Sequence, residues 1–215
     1  MVDETRTRVA VNGMLVAVDS AGAFGTAASL ALEGENQIHV EAVDGAGLRS
    51  ELFRTVVRDT EPPALTLASP AEGAVTADAT VTVSGTVTDQ TAVTLTVNGL
   101  PLTVEAGLFS GEVELAAGVN FLTVVATDAA GNTASEVRTV TRDTVPPQLT
   151  VTAPTDGLVT DAEAVAVAGT VVDETAVTVT VNGAPLDVEP DGTFAGTVPL
   201  VEGPNTVTVG AVDAA

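Results

Sequence analysis

The chain has 215 residues, seven basic against 29 acidic, for a formal charge of −22 at pH 7. A field of that sign opposes phosphate backbones and anionic lipid, so no nucleic-acid partner and no direct membrane insertion is expected. Lys, Cys, Trp and Tyr are absent, which excludes disulfide frameworks, thiolate nucleophiles, zinc-thiolate clusters, Schiff bases and Lys–Asn isopeptide crosslinks.

Val, Ala and Thr supply 105 residues, and 45% of the chain is hydrophobic. That is enough apolar surface to offset the entropy of ordering. Val and Thr branch at Cβ and suit a pleated, half-buried surface better than a helix, so the composition reads as all-β.

Self-similarity sets the organisation. Val-Asn-Gly occurs at 11–13, 97–99 and 181–183, Phe24, Phe109 and Phe194 are each 85 apart, and residues 59–105 match 143–189 at 28 of 47 positions without a gap. A period near 84 residues is too long for a solenoid and fits one small all-β domain with its own core. The copies are read as 1–58, which lacks the first strands, 59–142, which is whole, and 143–215, which lacks the last strand. The chain is therefore expected to be a segment of a longer protein; Asp3-Glu4-Thr5 aligns with Asp173-Glu174-Thr175 inside a copy.

In the whole copy, Pro62-Pro63 introduces a first strand over 64–69, where a missing N–H costs the ladder nothing. Glu72-Gly73 turns the chain, after which Val81, Val83 and Val87 alternate with Thr and Ser at the period of two that a half-buried strand requires. Val93, Leu95 and Val97 continue that period up to Asn98-Gly99, a type I′ hairpin signal. The return strand is read through Leu102 and Val104. Phe109, Val113 and Leu115 mark the next strand, Phe121 to Ala126 a continuous apolar one at a sheet centre, and Ser135 to Thr141 the last, after the turn Asp128-Ala-Ala-Gly-Asn132. About seven short strands with a turn every eight to twelve residues describe a tandem array of immunoglobulin-like β-sandwich domains; small barrels fit as well.

Arg142-Asp143-Thr144-Val145-Pro146-Pro147, Gly169-Thr170-Val171-Val172-Asp173, Val181-Asn182-Gly183-Ala184-Pro185-Leu186 and Ala126-Thr127-Asp128-Ala129-Ala130-Gly131-Asn132 together resemble the tandem bacterial immunoglobulin-like repeats of surface adhesins. They are also similar to the accessory sandwich domains of secreted glycosidases such as glucodextranase. The resemblance implies an exported, extracellular or cell-surface bacterial protein in which such copies act as spacers, with neighbouring copies of the same protein as partners. It names no ligand.

Carboxylates and amides are the functional groups on offer, and hard oxygen donors suit Ca²⁺. In an immunoglobulin-type sandwich the start of the first strand, the loop between strands two and three and the turn before the last strand gather at one end. Asp59, Asp89, Asp128 and Asn132 occupy those places, and Asp143, Asp173 and Asp213 are the equivalent set in the next copy. The expectation is a Ca²⁺ ion at each junction, supported by the calcium that related adhesin repeats carry there, with Glu61 or Glu174 as extra ligands. The competing reading is that Asp, Asn and Gly stand in these loops because turns favour them. In the first copy Leu48 replaces Asn132, which puts a site there in doubt.

His39 is read as a surface strand residue without catalytic partners, and the five Phe as core filling. No catalytic residue is assigned, and the absence of Trp and Tyr weakens a sugar-stacking face. Arg6, Arg8, Arg49, Arg54 and Arg58 crowd the first copy while 143–215 has no basic residue. That polarity fits self-association into fibres or, preferably, drift on a solvated surface. The leading reading is a non-enzymatic structural spacer. A filament subunit completed by neighbouring chains' strands and a glycan-binding accessory domain of a secreted glycoside hydrolase are the alternatives.

Overall fold

The computed structural model describes residues 7–215, all in strands, turns and loops, with no helix among them. The alignment of Asp3-Glu4-Thr5 and the residue Arg6 lie outside the described residues. In the first copy β1 (Arg8–Val11), β2 (Met14–Val16), β3 (Gly34–Val43) and β4 (Arg49–Arg58) form one antiparallel sheet in the order β2-β1-β3-β4. β3 and β4 pair over their whole length, from Gly34 opposite Arg58 to Val43 opposite Arg49.

The middle copy contains β5 (Ala64–Ser69), β6 (Ala74–Thr76), β7 (Thr80–Thr88), β8 (Thr94–Val97), β9 (Leu100–Leu102), β10 (Val104–Glu105), β11 (Leu108–Glu114), β12 (Gly118–Thr127) and β13 (Thr133–Arg142). One sheet runs β10-β11-β7-β5 and the other β6-β13-β12-β8-β9. In chain order these are strands A, B, E and D on one sheet and G, F and C on the other, the layout of an immunoglobulin-type sandwich. Alternation decides which side chains turn inward: Val83 and Val87 on β7, Leu95 and Val97 on β8, and Leu122, Val124 and Ala126 on β12 are buried, while the Thr residues between the β7 valines face water.

Two details depart from the sequence reading. The return strand through Leu102 and Val104 is two strands, because the chain changes sheet at Thr103: β9 pairs with β8, and β10 pairs with β11 in the other sheet. β6 lies where only a turn was expected and pairs in parallel with β13, Ala74 to Thr76 against Val140 to Arg142.

In the last copy β14 (Gln148–Ala153), β15 (Ala164–Val172) and β18 (Thr193–Pro199) form one sheet, and β16 (Thr178–Val181), β17 (Ala184–Leu186) and β19 (Val209–Val212) the other, in the orders β14-β15-β18 and β17-β16-β19. β19 has four residues where its counterpart β12 has ten. β12 is paired on both sides, whereas β19 has β16 alone, so only the stretch opposite β16 keeps a ladder. Val167, Val171, Val179, Val181 and Phe194 make a buried cluster. Gly169 is required beside it: a Cβ there would run into the Thr150 carbonyl and come within 2.6 Å of the Phe194 ring. By internal contacts the chain divides into two compact units, one of Met1–Thr66, Thr86–Phe109 and Val125–Ser135, the other of Leu67–Gly85, Ser110–Val124 and Glu136–Ala215. The units do not follow the copy boundaries at 59 and 143.

Core filling holds for Phe109 and Phe194, at 4% and 2% exposure. Phe121 instead points outward at 66%, because its place on β12 is one step off the buried Leu122. Phe24 and Phe53 are about half exposed, and Phe53 stacks on His39 with ring centroids 4.5 Å apart. His39 is a partly exposed strand residue whose Nε2 lies 3.8 Å from Glu51 Oε2.

Candidate metal centre

The loops before β5, between β7 and β8 and between β12 and β13 bring Asp59, Asp89 and Asp128 together, with one carboxylate oxygen from each lying within 4.8 Å of the others. Asp143, Asp173 and Asp213 form the same arrangement in the last copy. These six are the acids singled out from sequence, and the fold unites them from positions up to about 70 residues apart.

Each acid has its own hydrogen-bonding duty. Asp128 is buried, and its Oδ1 accepts the N–H groups of Ala130, Gly131 and Asn132 at 2.8, 2.7 and 2.8 Å, closing the turn into β13. Burial pulls its carboxyl upward, but the Asn132 side chain and these three amides outweigh that and hold it below the ordinary 3.8. Asp89 Oδ1 accepts the Thr91 N–H at 2.8 Å and lies 2.9 Å from the Thr91 hydroxyl, which also stands 3.1 Å from Asp59 Oδ2. Thr175 repeats this with Asp173, at 2.8 Å for both bonds, and with Asp143 at 3.0 Å. Its backbone N–H and hydroxyl hold the Asp173 carboxyl below the usual value.

Asn132 takes a different part from the one expected of it. Its Nδ2 donates to Asp128 Oδ2 at 2.8 Å and to the Asp59 carbonyl at 3.2 Å, so it ties two acids' segments together and turns nitrogen, not oxygen, to the cluster. Glu61 and Glu174 are exposed and stand outside the two groups of three. In the first copy Asp44 caps its own turn, accepting Ala46 N–H at 2.8 Å and Leu48 N–H at 2.9 Å, and it belongs to no group of three acids among the described residues. The residue that sequence reasoning missed is the threonine at the centre of each group. Its signal was present as Asp-x-Thr at 89–91 and 173–175.

Three carboxylates this close repel one another, and two threonine donors cannot neutralise them; a hard divalent cation can, since it takes oxygen ligands and carries the opposite charge. The donor set fits Ca²⁺ in chemistry, with Asp59, Asp89 and Asp128 in one group and Asp143, Asp173 and Asp213 in the other.

The same copies that carry the acids decide the family. Residues 63–144 and 147–215 each match the model of glucodextranase, domain B. The chain belongs to the glucodextranase domain B family. Bacillopeptidase F of Bacillus subtilis (strain 168) is 39% identical over 101 residues, which are 46% of this chain and 7% of that protein. The chain thus spans a small fraction of that relative's length. Among solved structures, three consecutive immunoglobulin domains of titin superpose with a TM-score of 0.47 at 10% identity, covering 98% of this chain and 84% of that one. The fibronectin(III)-like modules of Clostridium thermocellum CbhA give 0.41 at 18% identity over 65% of this chain and 78% of theirs. A 1.5-MDa bacterial ice-binding adhesin, in a structure concerned with its retention on the host cell surface, gives 0.34 at 22% identity over 96% and 84%. A glucodextranase domain B chain built from such sandwich copies is a structural or accessory module.

Proposed function

We propose that this chain is a non-enzymatic spacer within a longer exported bacterial protein, its sandwich copies set in series and stiffened by Ca²⁺ at the acid clusters. The observation that carries this reading is recurrence: the same three carboxylates, held by the same threonine, stand at the same places in two consecutive copies. A turn residue needs no partners from two other loops, whereas a cation ligand does. When bound, Ca²⁺ would neutralise the three charges; the chain's own part is to aim the carboxylates, through Thr91 and Asn132 in one copy and Thr175 in the other. Pro62-Pro63 and Pro146-Pro147 fix φ just beyond the first acid of each group, which limits the swing of each linker.

The test is thermal unfolding in millimolar Ca²⁺ and in chelator. Ca²⁺ should raise Tm, and the double variant Asp89→Asn, Asp173→Asn should lose most of that rise. An unchanged Tm at millimolar ion would remove the cation from the proposal. The family favours a second reading, an accessory module of a secreted hydrolase that holds its polysaccharide. Retardation of the chain in native gels containing soluble glucan would favour that reading; unaltered migration favours the spacer.

A further inference from the structure

From the last residue of β4 to the start of β5 the chain runs Arg58-Asp59-Thr60-Glu61-Pro62-Pro63, and successive residues of it are gripped from opposite sides. Glu33, in the loop that leads into β3, receives Arg58 Nη1 at 2.6 Å and the Thr60 hydroxyl at 3.1 Å on Oε2, and the Thr60 N–H at 2.6 Å on Oε1. Asp59, between those two, belongs to the other side: Thr91 meets its carboxylate and Asn132 its carbonyl. One carboxylate of the first copy and two side chains of the middle copy thus hold three consecutive residues, the end of β4 and the first two of the linker.

The next linker is built differently. Asp143 meets Thr175 as Asp59 meets Thr91. The position equivalent to Glu33, however, is Ala117, at the same offset of 84 that relates Arg142 to Arg58 and Thr144 to Thr60. Arg142 turns instead to the carbonyls of Ala77 and Leu115, at 3.4 and 3.3 Å, both within the middle copy. Among the described residues no carboxylate receives Thr144. An isolated surface ion pair constrains little, because two long side chains keep their freedom. A carboxylate that takes a guanidinium, a hydroxyl and a backbone N–H together has a defined orientation and fixes the main chain directly.

We infer that Glu33 is a latch that stiffens the first linker, and that this one carboxylate makes the first linker stiffer than the second. The inference deepens the spacer reading and rests on it for its meaning. The absence of Cys allows spin labels to be placed at will. Met14, Leu100 and Ala184 are exposed, equivalent positions of successive copies, each directly after Val-Asn-Gly, so Cys pairs at 14/100 and 100/184 report the two linkers by electron–electron resonance distances. The 14/100 distribution should be the narrower one. Glu33→Ala should broaden it to the width of the 100/184 pair, and Ala117→Glu, which recreates the latch, should narrow the second. Ala117→Glu keeps the test open if Glu33→Ala disturbs the first sheet. Widths unmoved by either substitution, in variants of native Tm, would overturn the latch and leave a narrow-width spacer standing. Broad distributions at both linkers in the unaltered chain would overturn the latch and the stiff spacer together.

Discussion

At the scale of a residue, a side chain often serves the loop it sits in before it serves anything else. Asp191 shows this outside the acid clusters: its Oδ1 accepts the Thr193 hydroxyl at 2.7 Å and the Thr193 N–H at 3.0 Å, which together hold its carboxyl below the ordinary 3.8. A carboxyl depressed by folding contributes stability above its unfolded pKa and loses it as pH falls through the folded value. Thr193→Val keeps the N–H and the branched shape but removes the hydroxyl. The Asp191 pKa, followed by carbon NMR, should therefore rise toward 3.8, and the variant's lower Tm near neutrality should converge on the parent's in acid. An unmoved titration would assign the depression to the backbone alone. The same lesson limits what sequence could say of the acid clusters. The six aspartates were legible because their positions recur; Asn132 was not, because an amide presents oxygen or nitrogen according to neighbours that only the fold supplies.

At the scale of an element, the hairpins were legible and the sheet changes were not. Asn12, Asn98 and Asn182 have φ of 46°, 48° and 48°, and the Gly after each is also positive, as the type I′ turn requires. The turn Asn also reaches sideways: Asn182 Oδ1 accepts the Thr208 N–H at 2.9 Å while its own N–H donates to the Thr208 carbonyl at 2.8 Å, and Asn12 does the same with His39. The hairpin is thereby fastened to the strand beside it. Asn182→Ala loses one hydrogen bond and places a Cβ-bearing residue without that compensation at positive φ, a cost of about 1–2 kcal/mol in urea unfolding; an unaltered midpoint would show the side bond to be dispensable. Period-two patterning foretold β7 and β8, because burial alternates along a strand, and Pro62-Pro63 marked the start of β5. It could not foretell β6, a three-residue strand whose partner stands 66 residues away, nor the crossing at Thr103, where the pattern runs on while the hydrogen bonds change sheet.

At the scale of the whole molecule, charge is unevenly spread. Residues 143–215 hold 11 acids and no base, and with a screening length of about 10 Å at 0.1 M salt their mutual repulsion is felt across a domain of this size. Sodium chloride from 10 to 500 mM should therefore raise Tm, and Ca²⁺ should add its own rise at millimolar concentration where sodium at equal ionic strength does little. Equal effects of the two salts at matched ionic strength would show screening to be the whole of it. Fold class and strand spacing were readable here because they follow from composition and period. The two compact units were not, since they depend on which segments of the middle copy contact each flank, and no local pattern encodes that.

The pairing of β6 with β13 bears on how such a chain carries load. The two strands are parallel, so a pull on the N-terminal side of Ala74 and on the C-terminal side of Arg142 slides one strand along the other. Their hydrogen bonds then resist together in shear instead of opening one after another like a zip. A three-residue strand, too short to matter much for equilibrium stability, is placed where it bears most on resistance to tension.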